Sequence, residues 1–145
     1  MIAASGVRAS DRVLVFGYDI LGYLDGLARH GTAAATGLYA GQPCHPHEPV
    51  DVVWFTCVSD IDAEVTQLTR GLGSPRLVAI ELMGQADLVQ LRRLLCRLRD
   101  KGLSQTSYYK VGYRCIVTAQ KPSSVRSTAV APAVSFIPLH GAAAP

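Results

Sequence analysis

Cysteine, histidine and carboxylate crowd together once in this chain, in Cys44-His45-Pro46-His47-Glu48. All three side-chain types ligate zinc, and the neighbouring prolines stiffen the loop that would present them. A structural zinc takes four ligands, and Cys57, Cys96 and Cys115 supply no second pair at conventional spacing. Zinc is therefore not expected. The loop reads as a solvated connection in which His45 and His47 can titrate near neutral pH. Asp19, Ser59 and Asp60 form a second set. Each follows a strand-like run, and open α/β sheets bind ligands at the carboxyl ends of strands, where strand order reverses. Tyr18 and Tyr39 would line the same crevice. The same Asp and Ser positions are also explained by helix capping alone. A third set is basic: Arg92, Arg93, Arg97, Arg99 and Lys101 share one helical segment. They read as its solvated face. Nucleic acid is not expected, although Tyr108, Tyr109, Lys110, Tyr113 and Arg114 follow closely. No nucleophile elbow, P-loop or HExxH is present in the sequence.

The elements that would hold these residues alternate. Residues 12–16 (RVLVF), 51–58 (DVVWFTCV) and 76–82 (RLVAIEL) are apolar runs that read as strands buried on both faces. Residues 32–40 read as a weaker strand. Residues 20–30 carry one apolar helical stripe, and 59–72 read as a second helix. Residues 85–103 carry Leu88, Leu91, Leu95 and Leu98 at helical spacing. Residues 106–119 read as two strands meeting near Val111-Gly112, or as one strand bulged there. The order β-α-β-β-α-β-α-β-β predicts a three-layer α/β sandwich, mostly parallel, with a C-terminal antiparallel pair. Residues 1–11 read as a frayed lead-in, 12–122 as the domain and the Ser/Ala/Pro-rich 123–145 as a tail.

The chain has 145 residues, 49% of them hydrophobic and 17% charged. Average domains carry about 25% charged residues, so this one is charge-poor and has ample apolar surface to order one domain. The formal net charge of +3 is mild and demands no anionic partner. No run reaches the roughly 18 apolar residues of a membrane span, and the N-terminus has no apolar signal core. A cytoplasmic location with free thiols is expected, with Cys57, Cys96 and Cys115 as buried thiols.

Three stretches together resemble the class I S-adenosylmethionine-dependent methyltransferases. They are RVLVFG at 12–17 with GYLDGLARHG at 22–31, then DVVW at 51–54, then 73–122 with RLVAI at 76–80 and RCIVTAQKP at 114–122. The resemblance implies a Rossmann-like sheet and a cofactor site at Gly17, Tyr18, Asp19, Gly22, Tyr39, Ser59 and Asp60. It also marks three departures. The family's first strand runs into a Gly-x-Gly-x-Gly type loop, where only Gly17 and Gly22 match. Its second strand ends in a ribose-binding carboxylate, where Tyr39 stands. Its adenine-binding helices and strand would fall in residues 41–50, which are too few to hold them. All three losses bear on one ligand. The expectation is a non-catalytic methyltransferase-like module, with no cofactor, acting through self-association or a protein partner. A homodimer through 106–119 is one form of this. One alternative is a minimal S-adenosylmethionine-dependent methyltransferase completed by a second chain. Another is a small-molecule or nucleotide binder using the same crevice.

Overall fold

The computed structural model describes residues 1–39, 42, 49–58, 73–84 and 88–122. The expectations for Cys44, His45, His47 and Glu48, for Ser59 and Asp60, for the 59–72 helix and for the 123–145 tail fall outside those residues. The described elements run α1 (Ile2–Ser5), β1 (Arg12–Gly17), α2 (Ile20–His30), β2 (Ala34–Tyr39), β3 (Val52–Val58), β4 (Leu77–Met83), α3 (Leu88–Asp100), β5 (Gln105–Val111) and β6 (Arg114–Gln120).

Successive side chains of a strand point to opposite faces, so a strand that is apolar at every position needs cover on both. β1, β3 and β4 are such strands, and they lie side by side. On one face Leu14, Phe16, Val53, Phe55, Val78 and Ile80 meet Leu94 and Leu98 of α3. On the other, Val13, Val15, Val52, Trp54, Leu77 and Ala79 meet Ile20 and Leu27 of α2 and Val7. The result is the expected three-layer α/β sandwich. Its six strands lie in the order β2-β1-β3-β4-β6-β5. β2, β1, β3 and β4 pair parallel, and β6 is antiparallel to both β4 and β5. β2 pairs with β1 in unbroken register from Arg12↔Ala34 to Gly17↔Tyr39. Gly37 admits α2 over this strand: a Cβ there would sit 2.9 Å from Ile20 Cδ1 and 3.0 Å from Leu24 Cδ1.

Three expectations are corrected. Residues 1–11 are not frayed: α1 and Val7 pack on the sheet, and the buried Asp11 accepts from Arg8 N–H at 2.6 Å and pairs with the Arg76 guanidinium. The stripe of the basic helix differs at one end: Leu91, Leu95 and Leu98 pack on the core as expected, but Leu88 is 80% exposed and Leu94 is fully buried instead. The arginines at 92, 93, 97 and 99 do face outward, as expected. Of the three thiols, only Cys115 is buried; Cys57 is half-buried and Cys96 exposed. Trp54 is fully buried in the core. No described helix is long and apolar enough to cross a membrane.

Candidate functional site

The chain leaves β1 toward β2 on one side and returns to β3 on the other, so strand order reverses at the ends of β1 and β3. Gly17 sits at that point with φ 135 and is flanked in register by Tyr39 and Thr56. A Cβ on Gly17 would lie 2.3 Å from the Thr56 carbonyl oxygen and 2.7 Å from its hydroxyl oxygen. Only glycine fits both the backbone conformation and the space. The buried Thr56 hydroxyl donates to the Tyr18 carbonyl at 3.1 Å, with the Phe16 carbonyl at 3.4 Å. It thereby ties the loop after β1 to β3 across the crevice.

Gly17, Tyr18, Asp19 and Tyr39 therefore do gather at one end of the sheet. Tyr18 is 58% and Tyr39 49% exposed. The Tyr39 backbone N–H donates to Gln42 Oε1 at 3.0 Å. Asp19 is the N-cap residue of α2, as read, although its side chain makes no capping hydrogen bond. Its backbone is left-handed, φ 35, which costs a non-glycine residue about 1–2 kcal/mol. Gly22 lies exposed on the first turn of α2, with no atom within 4 Å of where a Cβ would be.

A second polar centre lies at the same end of the sheet, between β3, β4, β6 and α2. Glu81, in the middle of the apolar run of β4, is 3% exposed. The Tyr23 hydroxyl donates to its Oε2 at 2.6 Å and Arg114 Nη1 to its Oε1 at 2.9 Å. The Cys57 N–H donates to Oε2 at 3.3 Å, and the thiol lies 3.7 Å from the same oxygen. A bulge makes this possible. The β3–β4 register shifts between Phe55 and Val58, and Cys57 adopts φ 55. The extra residue turns Thr56 toward β1 and Cys57 toward Glu81. Arg114 is held further by the Tyr113 hydroxyl, 3.3 Å from Nη2, and by the Tyr113 ring, 5.4 Å from the guanidinium carbon.

These contacts set the protonation states. Burial, and then the hydrogen bond to Glu81, push the Tyr23 phenol well above its usual value. Burial and the Glu81 charge likewise push the Cys57 thiol up, the reverse of an activated nucleophile. The hydrogen bonds to Tyr113 and Glu81 hold Arg114 firmly charged. The cluster is thus a closed structural network of a neutral phenol, a neutral thiol and an ion pair. Its sequence signal was Glu81 itself, a lone carboxylate in a strand with no other reason to carry charge. Trp54, edge-on to Tyr23 at 6.3 Å, has its indole N–H without a partner among the described residues.

Around the β5–β6 hairpin a cavity of about 620 Å³ is lined by Tyr108, Lys110, Tyr113 and Arg114, among others. Gly17, Tyr18 and Tyr39 are not among its lining residues. Among the described residues, no group of three or more His, Cys, Asp or Glu side chains could hold a metal ion.

No protein-family model matches the sequence, and no curated protein matches it. Solved structures do. A proposed methyltransferase from Thermoplasma acidophilum superposes with a TM-score of 0.54 at 11% identity, over 81% of this chain and 71% of that one. An O-methyltransferase family protein from Burkholderia thailandensis superposes with a TM-score of 0.55 at 15% identity, over 80% of this chain. The match spans only 52% of the Burkholderia protein. At these identities the likeness is one of fold: the chain has a methyltransferase-like α/β fold, as its strand order and residues 12–122 implied.

Proposed function

We propose that this chain is a non-catalytic, methyltransferase-like binding module that works through association with another protein chain rather than through methyl transfer. The observation that carries this reading is the state of the switch point. Thr56 ties β3 to the Tyr18 carbonyl there, and Tyr18 and Tyr39 stand where the family keeps open space and a carboxylate. β2 is also the outermost described strand on that side, so no described strand lies beyond it to carry adenine contacts. The remaining polar centre, around Glu81, is satisfied internally and offers neither a free base nor an ionised nucleophile. A fold does not itself confer an activity.

The test is thermal unfolding of the full chain with S-adenosylmethionine and with S-adenosylhomocysteine. A ligand at about 100 times its dissociation constant stabilises a protein by about 2.7 kcal/mol. No change in melting temperature is expected at millimolar concentrations of either compound. A saturable rise overturns the reading in favour of a minimal methyltransferase.

A further inference from the structure

We propose that β5 is a dimer interface, in which two copies of this chain join their β5 strands antiparallel about a two-fold axis at Tyr108. The two six-stranded sheets then become one continuous sheet. This deepens the association reading above, because it names the partner and places the contact.

The argument begins with the two edges of the sheet. At one, β2 carries α2 against it, with Ile20 and Leu24 seated on Gly37. At the other, all seven residues of β5 are exposed. Tyr108 and Tyr109, on opposite faces, are 51% and 41% exposed, and Val111 is 60% exposed. Edge strands are ordinarily blunted by proline, by bulges, by several charges or by a covering element. β5 contains no proline, pairs with β6 without a register shift, and carries one charge, Lys110. Such an edge is a template for another strand.

The hairpin decides which backbone groups are on offer. Gly112 and Tyr113 form a two-residue turn between Val111 and Arg114. Gly112 has φ 61 and Tyr113 has no positive φ, the II′ pattern of tight hairpins. Such a turn is closed by a pair that exchanges both backbone hydrogen bonds, and the pattern alternates along the ladder. Val111, Tyr109, Ser107 and Gln105 therefore direct their N–H and C=O groups to β6. Thr106, Tyr108 and Lys110 direct theirs to the free edge.

A second copy matches this edge. Full antiparallel overlap of Gln105–Val111 with itself places Tyr108 opposite Tyr108 and Thr106 opposite Lys110. Those are the residues with outward donors and acceptors, so each facing pair can exchange two hydrogen bonds. No like charges face each other, since Lys110 meets a threonine, and two tyrosines form the central cross-strand pair. On the other face Ser107 meets Tyr109. An edge contact of this kind is small, so the dimer weakens on dilution.

The experiment is sedimentation velocity on the full chain over a concentration series. A monomer–dimer equilibrium is expected for the wild type. Tyr108→Lys and Tyr108→Glu each place like charges across the axis and are expected to sediment as monomers. An equimolar mixture of the two is expected to restore the dimer, which happens only if Tyr108 faces its own copy. Thr106→Glu, set opposite Lys110, is expected to tighten the dimer several-fold, so one variant moves in the opposite direction to any loss of folding. A wild type that stays monomeric throughout overturns the proposal; this is also the outcome if the 123–145 tail or a strand of another protein covers β5. So does a dimer that survives both Tyr108 substitutions, or a mixture that fails to reassociate. Cofactor binding is read separately, so either proposal can fail while the other stands.

Discussion

Gly17 is the most tightly confined of the described glycines. Gly17→Ala would force a Cβ against the Thr56 carbonyl at a backbone angle that L-residues avoid. A loss of about 3 kcal/mol in unfolding free energy is expected, measured by urea titration. Glu81→Gln keeps the shape but removes the charge that Arg114, Tyr23 and Cys57 share. A loss of about 2 kcal/mol is expected, discounted because Arg114 can reach water. The pH dependence follows from the same contacts. Tyr23 and Cys57 both have folded-state pKa values raised above their ordinary 10.0 and 9.0. In the unfolded chain these groups lose their protons first. Their contribution is complete below pH 9 and is lost as pH rises past those ordinary values. The melting temperature is expected to fall on the alkaline side above pH 9, and less steeply in Glu81→Gln. A flat alkaline profile would show that the cluster is not closed. At this scale the sequence was half legible. The gathering of Gly17, Tyr18, Asp19 and Tyr39 followed from strand ends, which local pattern reveals. The Glu81 network did not, because it joins residues up to 91 positions apart through a bulge that no local pattern announces.

Elements were more legible than contacts. α2 was read at its full length, 20–30, because its stripe lies on one side and a glycine ends it. The alternatives for 106–119 resolved to a hairpin, because Gly112 supplies the positive φ that a two-residue turn needs. α3 was found with Leu91, Leu95 and Leu98 on the core as read, but with Leu94 buried in place of Leu88. Leu88, Leu91, Leu95 and Leu98 make a regular repeat, yet the surface the helix covers is set by Phe55, Ile80 and Val117 of three different strands. Regular spacing cannot report that tertiary choice. The two leucines that distinguish these readings can be compared directly. Leu94→Ala is expected to cost about 2–5 kcal/mol, because the site is fully buried, and Leu88→Ala under about 0.5 kcal/mol. Equal costs would restore the original stripe. The N-terminal segment was missed for a similar reason. Its anchors, Asp11 with Arg76 and Val7 under α2, are long-range contacts made by an otherwise featureless stretch.

For the whole molecule, low charge and high apolar content have a common cause. A sheet covered on both faces takes apolar residues at every position of its central strands, which leaves few positions for charge. The exposed β5 adds apolar area that no described element covers. Strand order and layers were legible in the sequence because they depend on runs of residue type. Activity was not, because it depends on a few atoms at one sheet end, and there the residues depart from the pattern their fold resembles. The most direct measurement is calorimetric titration of S-adenosylhomocysteine into the full chain, at a concentration where its association state is known. Run on the associated protein, it also covers a crevice completed by a second copy. The expected result is no heat beyond dilution. Saturable binding near one ligand per chain would contradict the account and make this domain a cofactor-binding methyltransferase fold after all.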